Sequence, residues 1–187
     1  MAGKRSDARQ KMVVAARELF REQGYHATAL SDVLKRSEAP RGSVYFHFPG
    51  GKAELATEAA DQHTSELLEN ITLAAAEATG PADLVRAYLG LARSNLVASD
   101  YRQGCTIAPL VLESDGLDDV AGRSFTLIID TLAGHFATFG VPDAHELAHA
   151  VLAGVEGALI TARALRSTAP FDAVQTVLES HVERLLK

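Results

Sequence analysis

Between Leu30 and Lys52 the chain alternates helix-forming and helix-breaking chemistry at a spacing that few folds accept. Leu30, Val33 and Leu34 recur at three- and four-residue intervals, which gives a short helix with one apolar face. Ser37 and Glu38 break it. Residues 39–48, Ala-Pro-Arg-Gly-Ser-Val-Tyr-Phe-His-Phe, read as a second short helix, basic and aromatic. Pro40 suits its first turn, where a missing N–H would have no partner anyway. Pro49-Gly50-Gly51 stops this helix near Phe48, and Lys52 restarts a longer one. Helix, tight polar turn and short helix make the outline of a helix-turn-helix, whose second helix lies in the major groove of DNA.

The rest of the chain keeps the same periodicity. Met12, Ala15, Ala16, Leu19 and Phe20 stripe a first helix from about Asp7 to Gln23, with Gly24 placed as a left-handed cap. Thr28 is positioned to N-cap the second helix. Beyond Lys52, helices are expected over 52–77, 82–98, 107–112, 117–139, 143–166 and 170–187. Gly80-Pro81, residues 101–104, Ser114-Asp115-Gly116 and Gly140-Val141-Pro142 separate them. No stretch shows strand-like alternation. The expected fold class is all-α, about nine helices: a three-helix head in residues 1–52 and a helical body in 53–187.

Charge divides at the same place. The net charge of −6 combines ten Lys/Arg against five Asp/Glu in residues 1–52 with eight against nineteen in 53–187. A basic head on an acidic body is the asymmetry expected when only the head approaches phosphates. The N-terminal Met-Ala-Gly-Lys-Arg-Ser-Asp is not followed by an apolar segment of the kind that directs secretion. No apolar run approaches the ~20 residues that cross a bilayer, so no membrane partner is expected. The single cysteine, Cys105, fits a reducing cytoplasm.

Within the second short helix, Arg41 sits at the N-terminal end, where base edges or phosphates lie. Gly42 lets the backbone come near the duplex, and Ser43 is small and polar enough for a base or phosphate contact. Tyr45 and His47 can reach flanking phosphates, while Val44 and Phe48, four apart, face inward. Lys52 opposes the macrodipole of the helix it begins, at a cost of about a few tenths of a kcal/mol. Together with the free N–H groups of that helix end it makes a phosphate site. Taken as a purely structural feature, Lys52 would instead be an exposed lysine compensated by Glu54.

Residues 8–60 resemble the DNA-binding domain of the TetR family of bacterial transcriptional repressors. The resemblance lies in Ala-Arg-Glu-Leu-Phe (16–20), Gly24-Tyr25, Ala27-Thr28 and Gly-Ser-Val-Tyr-Phe-His-Phe (42–48) followed by Lys52. Pro49-Gly50-Gly51-Lys52 is one residue longer than the common form and is similar to the LmrA/YxaF-like branch. So is Gly104-Cys105 followed by Ala-Pro-Leu-Val-Leu-Glu (108–113). The resemblance implies a homodimer that binds a double-stranded operator and is released when its C-terminal helices take up a small molecule. It implies Thr28, Arg41, Gly42, Ser43, Tyr45, His47 and Lys52 as the DNA contacts. Leu30 and Ala39 stand where some relatives have polar contacts, which leaves base readout to fewer side chains.

The body offers two further patterns. Ala150, Ala153, Gly154, Gly157, Ala158 and Thr161 place small residues along one helix at spacings that let a facing helix approach closely. Val174, Leu178 and Val182 stripe the last helix. Two helices from each of two copies would form a two-fold, four-helix interface, expected from these nine residues. Ligand contacts are expected from Tyr88, Leu91, Cys105, Ile107, Leu110, Phe125, Ile128, Leu132 and Phe136, an apolar set suited to a partly aromatic effector. Most of that set also serves as ordinary core. Cys105 reads as a small buried hydrophobe, with no second cysteine to resolve an oxidised form.

One motif points to another class. His145-Glu146-Leu147-Ala148-His149 matches H-E-x-x-H, in which two histidines bind zinc and the glutamate acts as base. Asp143 and Glu146 also have capping-box spacing, which gives the glutamate a structural use. No third ligand follows at a suitable distance; the next histidine is His181. The expected protein is therefore a ligand-responsive repressor without catalytic activity, metal or cofactor. A transcriptional activator of the same fold, or less well a zinc-dependent hydrolase, is the alternative.

Overall fold

Apolar spacing fixes where the helices form, and glycine and proline fix where they stop. The structure, a computed structural model, describes residues 2–186, with side chains from Asp7 to Leu186. Among the described residues it holds nine α-helices and no strand. These are α1 (Ala2–Ala27), α2 (Leu30–Arg36), α3 (Ser43–His47), α4 (Gly51–Glu77), α5 (Pro81–Ala98), α6 (Ala108–Leu112), α7 (Asp118–Thr138), α8 (Ala144–Leu165) and α9 (Ala169–Leu185).

The first of two units comprises residues 1–63 and 105–124. Met12, Val13, Ala16, Leu19 and Phe20 of α1, Val33 of α2, Val44 of α3 and Leu55 of α4 are buried, with Phe48, Ile107 and Leu110. Arg9 pairs with Glu58 and lies 4.9 Å over the Phe48 ring, so one side chain binds α1 to α4 and to the end of α3. Arg36 reaches Glu22 at 2.9 Å and Glu18 at 3.6 Å, which ties α2 to α1. The division between the units falls after His63, inside α4, whose first turns bury Leu55, Ala56, Ala59 and Ala60.

Two local expectations change here. Gly24 adopts φ 88° and ψ 173°, a glycine-only conformation but not the left-handed cap, and a last helical turn follows it. Thr28 is not the N-cap of α2. Its hydroxyl donates to the Gly24 carbonyl at 2.7 Å, and Ala29 caps α2 without a side-chain bond. Likewise α3 starts at Ser43, not near Pro40. Gly42 sits at φ 87°, left-handed, so the helix cannot extend back through it. Pro40 instead accepts both the Ser43 N–H, at 3.1 Å, and its hydroxyl, at 2.7 Å.

The second unit comprises residues 64–104 and 125–187. Here α5, α8 and α9 pack on one another. Leu84, Val85 and Leu89 of α5 are buried, as are Leu147, Val151 and Val155 of α8 and Phe171, Leu178 and Val182 of α9. Arg86 meets Glu179 at 3.0 Å and Arg93 meets Asp172 at 3.0 Å, joining α5 to α9 along their polar edges. The capping box expected of Asp143 and Glu146 does not form: Asp143 has φ −108°, ψ 56° and no side-chain cap bond. An 18-residue stretch of α8 has a mean hydropathy of 1.2, so by length and composition alone this 22-residue helix is long and apolar enough to cross a bilayer, although Glu146, Glu156 and Arg163 interrupt it. Its buried stripe is spent on α5 and α9.

Candidate nucleic-acid interface

Helix α3 has five residues, and geometry sorts them strictly. At 100° per residue Val44 and Phe48 share a face, and both are buried, at 1% and 0% exposure. Tyr45 and Phe46 fall on the opposite side, 66% and 59% exposed. Arg41 and Gly42 are also exposed, and a Cβ built on Gly42 would meet nothing within 4 Å. Ser43 and His47 are half-buried, the first turned back to Pro40 and the second 5.1 Å from the Phe46 ring, edge to face. The outer surface of α3 thus carries a guanidinium, a phenol and a phenyl ring with no protein atoms over Gly42.

Three of the sequence-derived contacts take a different role. Thr28 is 1% exposed, so its side chain belongs to the Gly24 turn and not to a DNA face. Gly42 is required by its left-handed backbone, a stronger reason than close approach. Ser43 uses its hydroxyl on Pro40. Phe46, to which the sequence reading gave no role, is outside; its place 200° round from Val44 was the signal that could have found it.

Lys52 stands at the edge of this surface. Its ammonium donates to the His26 carbonyl at 3.3 Å and lies 4.3 Å over the Tyr25 ring. Burial lowers its pKa, and the Glu113 carboxylate opposes that shift. Glu54, the proposed compensating acid, does something else: it accepts the Gly50 N–H at 2.7 Å and caps α4. An ammonium has three donors, and the His26 carbonyl takes one of them.

In the second unit the small-residue stripe divides between two tasks. A Cβ on Gly154 would fall 2.7 Å from Val174 Cγ1, so this glycine permits the close approach of α8 and α9 within one chain. Ala158, Leu178 and Val182 are buried in the same chain and cannot face a partner, and Val174 is half-buried. Ala150, Ala153, Gly157 and Thr161 are exposed. Ile160 on α8 and Val177 on the apolar stripe of α9 are also exposed, at 61% and 66%, and Ile160 escaped the sequence reading.

The expected ligand set is also divided. Cys105, Ile107 and Leu110 belong to the first unit, the last two fully buried. Tyr88 and Leu91 line a cleft of about 170 Å³ with Asn70, Ile71, Ala74, Leu84 and Ala87, all in the second unit. Ile128, Leu132 and Phe136 are core of α7, and Phe125 is half-buried. The H-E-x-x-H residues lie in the first turns of α8, with His145 Nδ1 4.0 Å from Asp130 Oδ1. Among the described residues no group of three or more His, Cys, Asp or Glu side chains is placed to hold a metal.

Comparison with known proteins bears on the family and the fold. Residues 13–59 match the family model for bacterial regulatory proteins of the tetR family. Residues 81–177 match the model for the C-terminal domain of LmrA/YxaF-like transcriptional regulators. An uncharacterised helix-turn-helix-type transcriptional regulator of Mycobacterium tuberculosis is 39% identical over 186 residues, covering 92% of each chain. The helix-turn-helix-type transcriptional regulator LmrA of Bacillus subtilis is 35% identical over 108 residues, 58% of this chain and 57% of its own. A TetR transcriptional regulator from Chloroflexus aurantiacus superposes with a TM-score of 0.78 at 26% identity, over 96% of both chains.

Proposed function

The chain belongs to the TetR family of bacterial transcriptional regulators, and on that premise we propose that it represses transcription as a two-fold dimer on a palindromic operator. Members of that family bind DNA, typically respond to small ligands, and are generally not enzymes. The observation that carries the reading is the outward face of α3, where Arg41, Tyr45 and Phe46 are exposed, with Lys52 at its margin. Arg41 reads base edges. Tyr45 and Lys52 hold phosphates, and His47 supports them from its half-buried position. Phe46 packs on sugars or on a thymine methyl.

The second copy docks on Ala150, Ala153, Gly157 and Thr161, with Ile160 and Val177. The effector enters beside Tyr88 and Leu91, where Asn70 offers a polar group to an otherwise apolar cleft. At about 170 Å³ the cleft is smaller than the ~300 Å³ at which drug-sized sites begin, so it suits a small apolar molecule or one ring of a larger one. The protein acts in the cytoplasm, with its operator.

Binding measured against salt tests the assignment. Lys52→Ala should weaken binding on every duplex and reduce the log–log salt slope by about one unit. An unchanged slope removes Lys52 from the phosphate contacts. Arg41→Ala should relax sequence preference as well as affinity; uniform weakening would make it a phosphate contact too.

A further inference from the structure

Glu113 lies far in sequence from the DNA face, yet it is tied to that face. It closes α6 and is exposed. Its Oε2 accepts the His26 N–H at 2.8 Å, across 87 residues of chain. The His26 carbonyl accepts in turn from the Lys52 ammonium at 3.3 Å. Residue 26 is therefore gripped from both sides, its N–H by α6 and its C=O by α4. The space for the carboxylate exists because residue 24 is glycine: a Cβ there would lie 2.4 Å from Glu113 Oε1 and 2.5 Å from Oε2. Gly24 is thus doubly constrained, by its φ of 88° and by what it admits.

We infer that Glu113 is a positioning residue for the DNA grip: by holding His26 it fixes the carbonyl that aims Lys52, and so joins α6 to the edge of the DNA face. The inference rests on the reading of Lys52 as a phosphate contact. Its physical basis is preorganisation. A lysine side chain carries much rotamer freedom, and a carbonyl held still removes part of the entropy that phosphate binding would otherwise cost. A charge-assisted bond to an N–H is the stronger kind available for holding that carbonyl. Cys105, Ile107 and Leu110 precede Glu113 on the same stretch of chain, so a displacement of α6 draws the carboxylate off His26. An ordinary surface carboxylate at this position would stabilise the α1–α2 connection without any coupling to Lys52.

The test uses the full chain and a duplex recovered by selection with this protein from a random-sequence pool. Amide exchange at His26 and DNA affinity are measured for Glu113→Ala, Glu113→Gln and Glu113→Asp. Glu113→Ala should speed His26 exchange and weaken DNA binding roughly five- to tenfold, the scale of one ordinary hydrogen bond, because the lost bond acts on DNA only through Lys52. Glutamine keeps the acceptor and should recover most of the loss. Aspartate keeps the charge but is too short, and should behave as alanine does. Lys52→Ala should cost several-fold less in the Glu113→Ala background than in the native chain. Unchanged His26 exchange, native affinity in Glu113→Ala, or an equal cost of Lys52→Ala in both backgrounds would each overturn the inference. A Lys52→Ala chain that binds as the native one does would remove the phosphate reading first, and the inference with it.

Discussion

Gly157 and Gly154, three residues apart on α8, should respond in opposite ways to leucine. Gly157 is exposed, and a Cβ built on it meets nothing within 4 Å, so a side chain there starts in open space. Replacing a helix-interior glycine should even stabilise the protomer, by about 0.5–1 kcal/mol. In the proposed dimer the same leucine enters a crossing where small residues let helices approach to about 8 Å. Overpacking costs about 1–3 kcal/mol per inserted side chain. Two-fold symmetry inserts two, so the dimer loses about 2–6 kcal/mol, or roughly thirtyfold to twenty-thousandfold in its dissociation constant. Gly154→Leu should fail differently. Its Cβ would sit 2.7 Å from Val174 Cγ1, which forces α8 and α9 apart inside the chain and lowers the melting temperature. Sedimentation across a concentration series, beside a thermal melt, separates the outcomes. Gly157→Leu should sediment as a folded monomer and lose DNA affinity. A Gly157→Leu chain with native dimer affinity would refute the assigned face.

Two further expectations concern stability. Glu38 holds φ 55° in the turn before α3, a left-handed conformation that costs a non-glycine residue about 1–2 kcal/mol. Glu38→Gly should therefore raise the melting temperature, by about 1 kcal/mol of stability once the added freedom of the unfolded chain is deducted, and remove a negative charge from the basic head; a lower melting temperature would contradict the strain. His63 has its pKa pushed down to about 4 by burial and by the nearby Arg21 and Arg17. The folded state then binds fewer protons than the unfolded one between pH 4 and the ordinary histidine value near 6.5. Stability is complete above that window and falls as pH drops through it, by up to about 3 kcal/mol, and His63→Gln should flatten the profile. An identical profile in the variant would place the acid sensitivity elsewhere.

Periodicity made most of the fold legible. Val44 and Phe48, four apart, gave the inward face of α3, and the glycine–proline breaks gave the order of the helices. Backbone conformation was not legible in the same way. Nothing in the letters distinguishes Pro40 as a helix start from Pro40 as a turn acceptor, because the left-handed Gly42 between them decides it. Thr28 has good capping chemistry, but the carbonyl freed at the Gly24 kink lies closer to its hydroxyl than the amides of α2 do. The small-residue stripe on α8 was read as one surface, whereas Gly154 and Ala158 serve the chain's own packing and Gly157 stays outside. Glu113 had no signal in sequence at all: its partner is an N–H 87 residues away, and backbone donors carry no letter.

The central claim is that two copies of this chain read one symmetric site through α3 and its flanks. Selection from a random duplex pool, followed by sedimentation of the purified complex, measures both halves of it together. The recovered sites should be two-fold symmetric with half-sites about one helical turn apart or a small multiple of that, and each should carry an even number of chains. Asymmetric sites saturated by a single chain, or no enrichment over the starting pool, would contradict it.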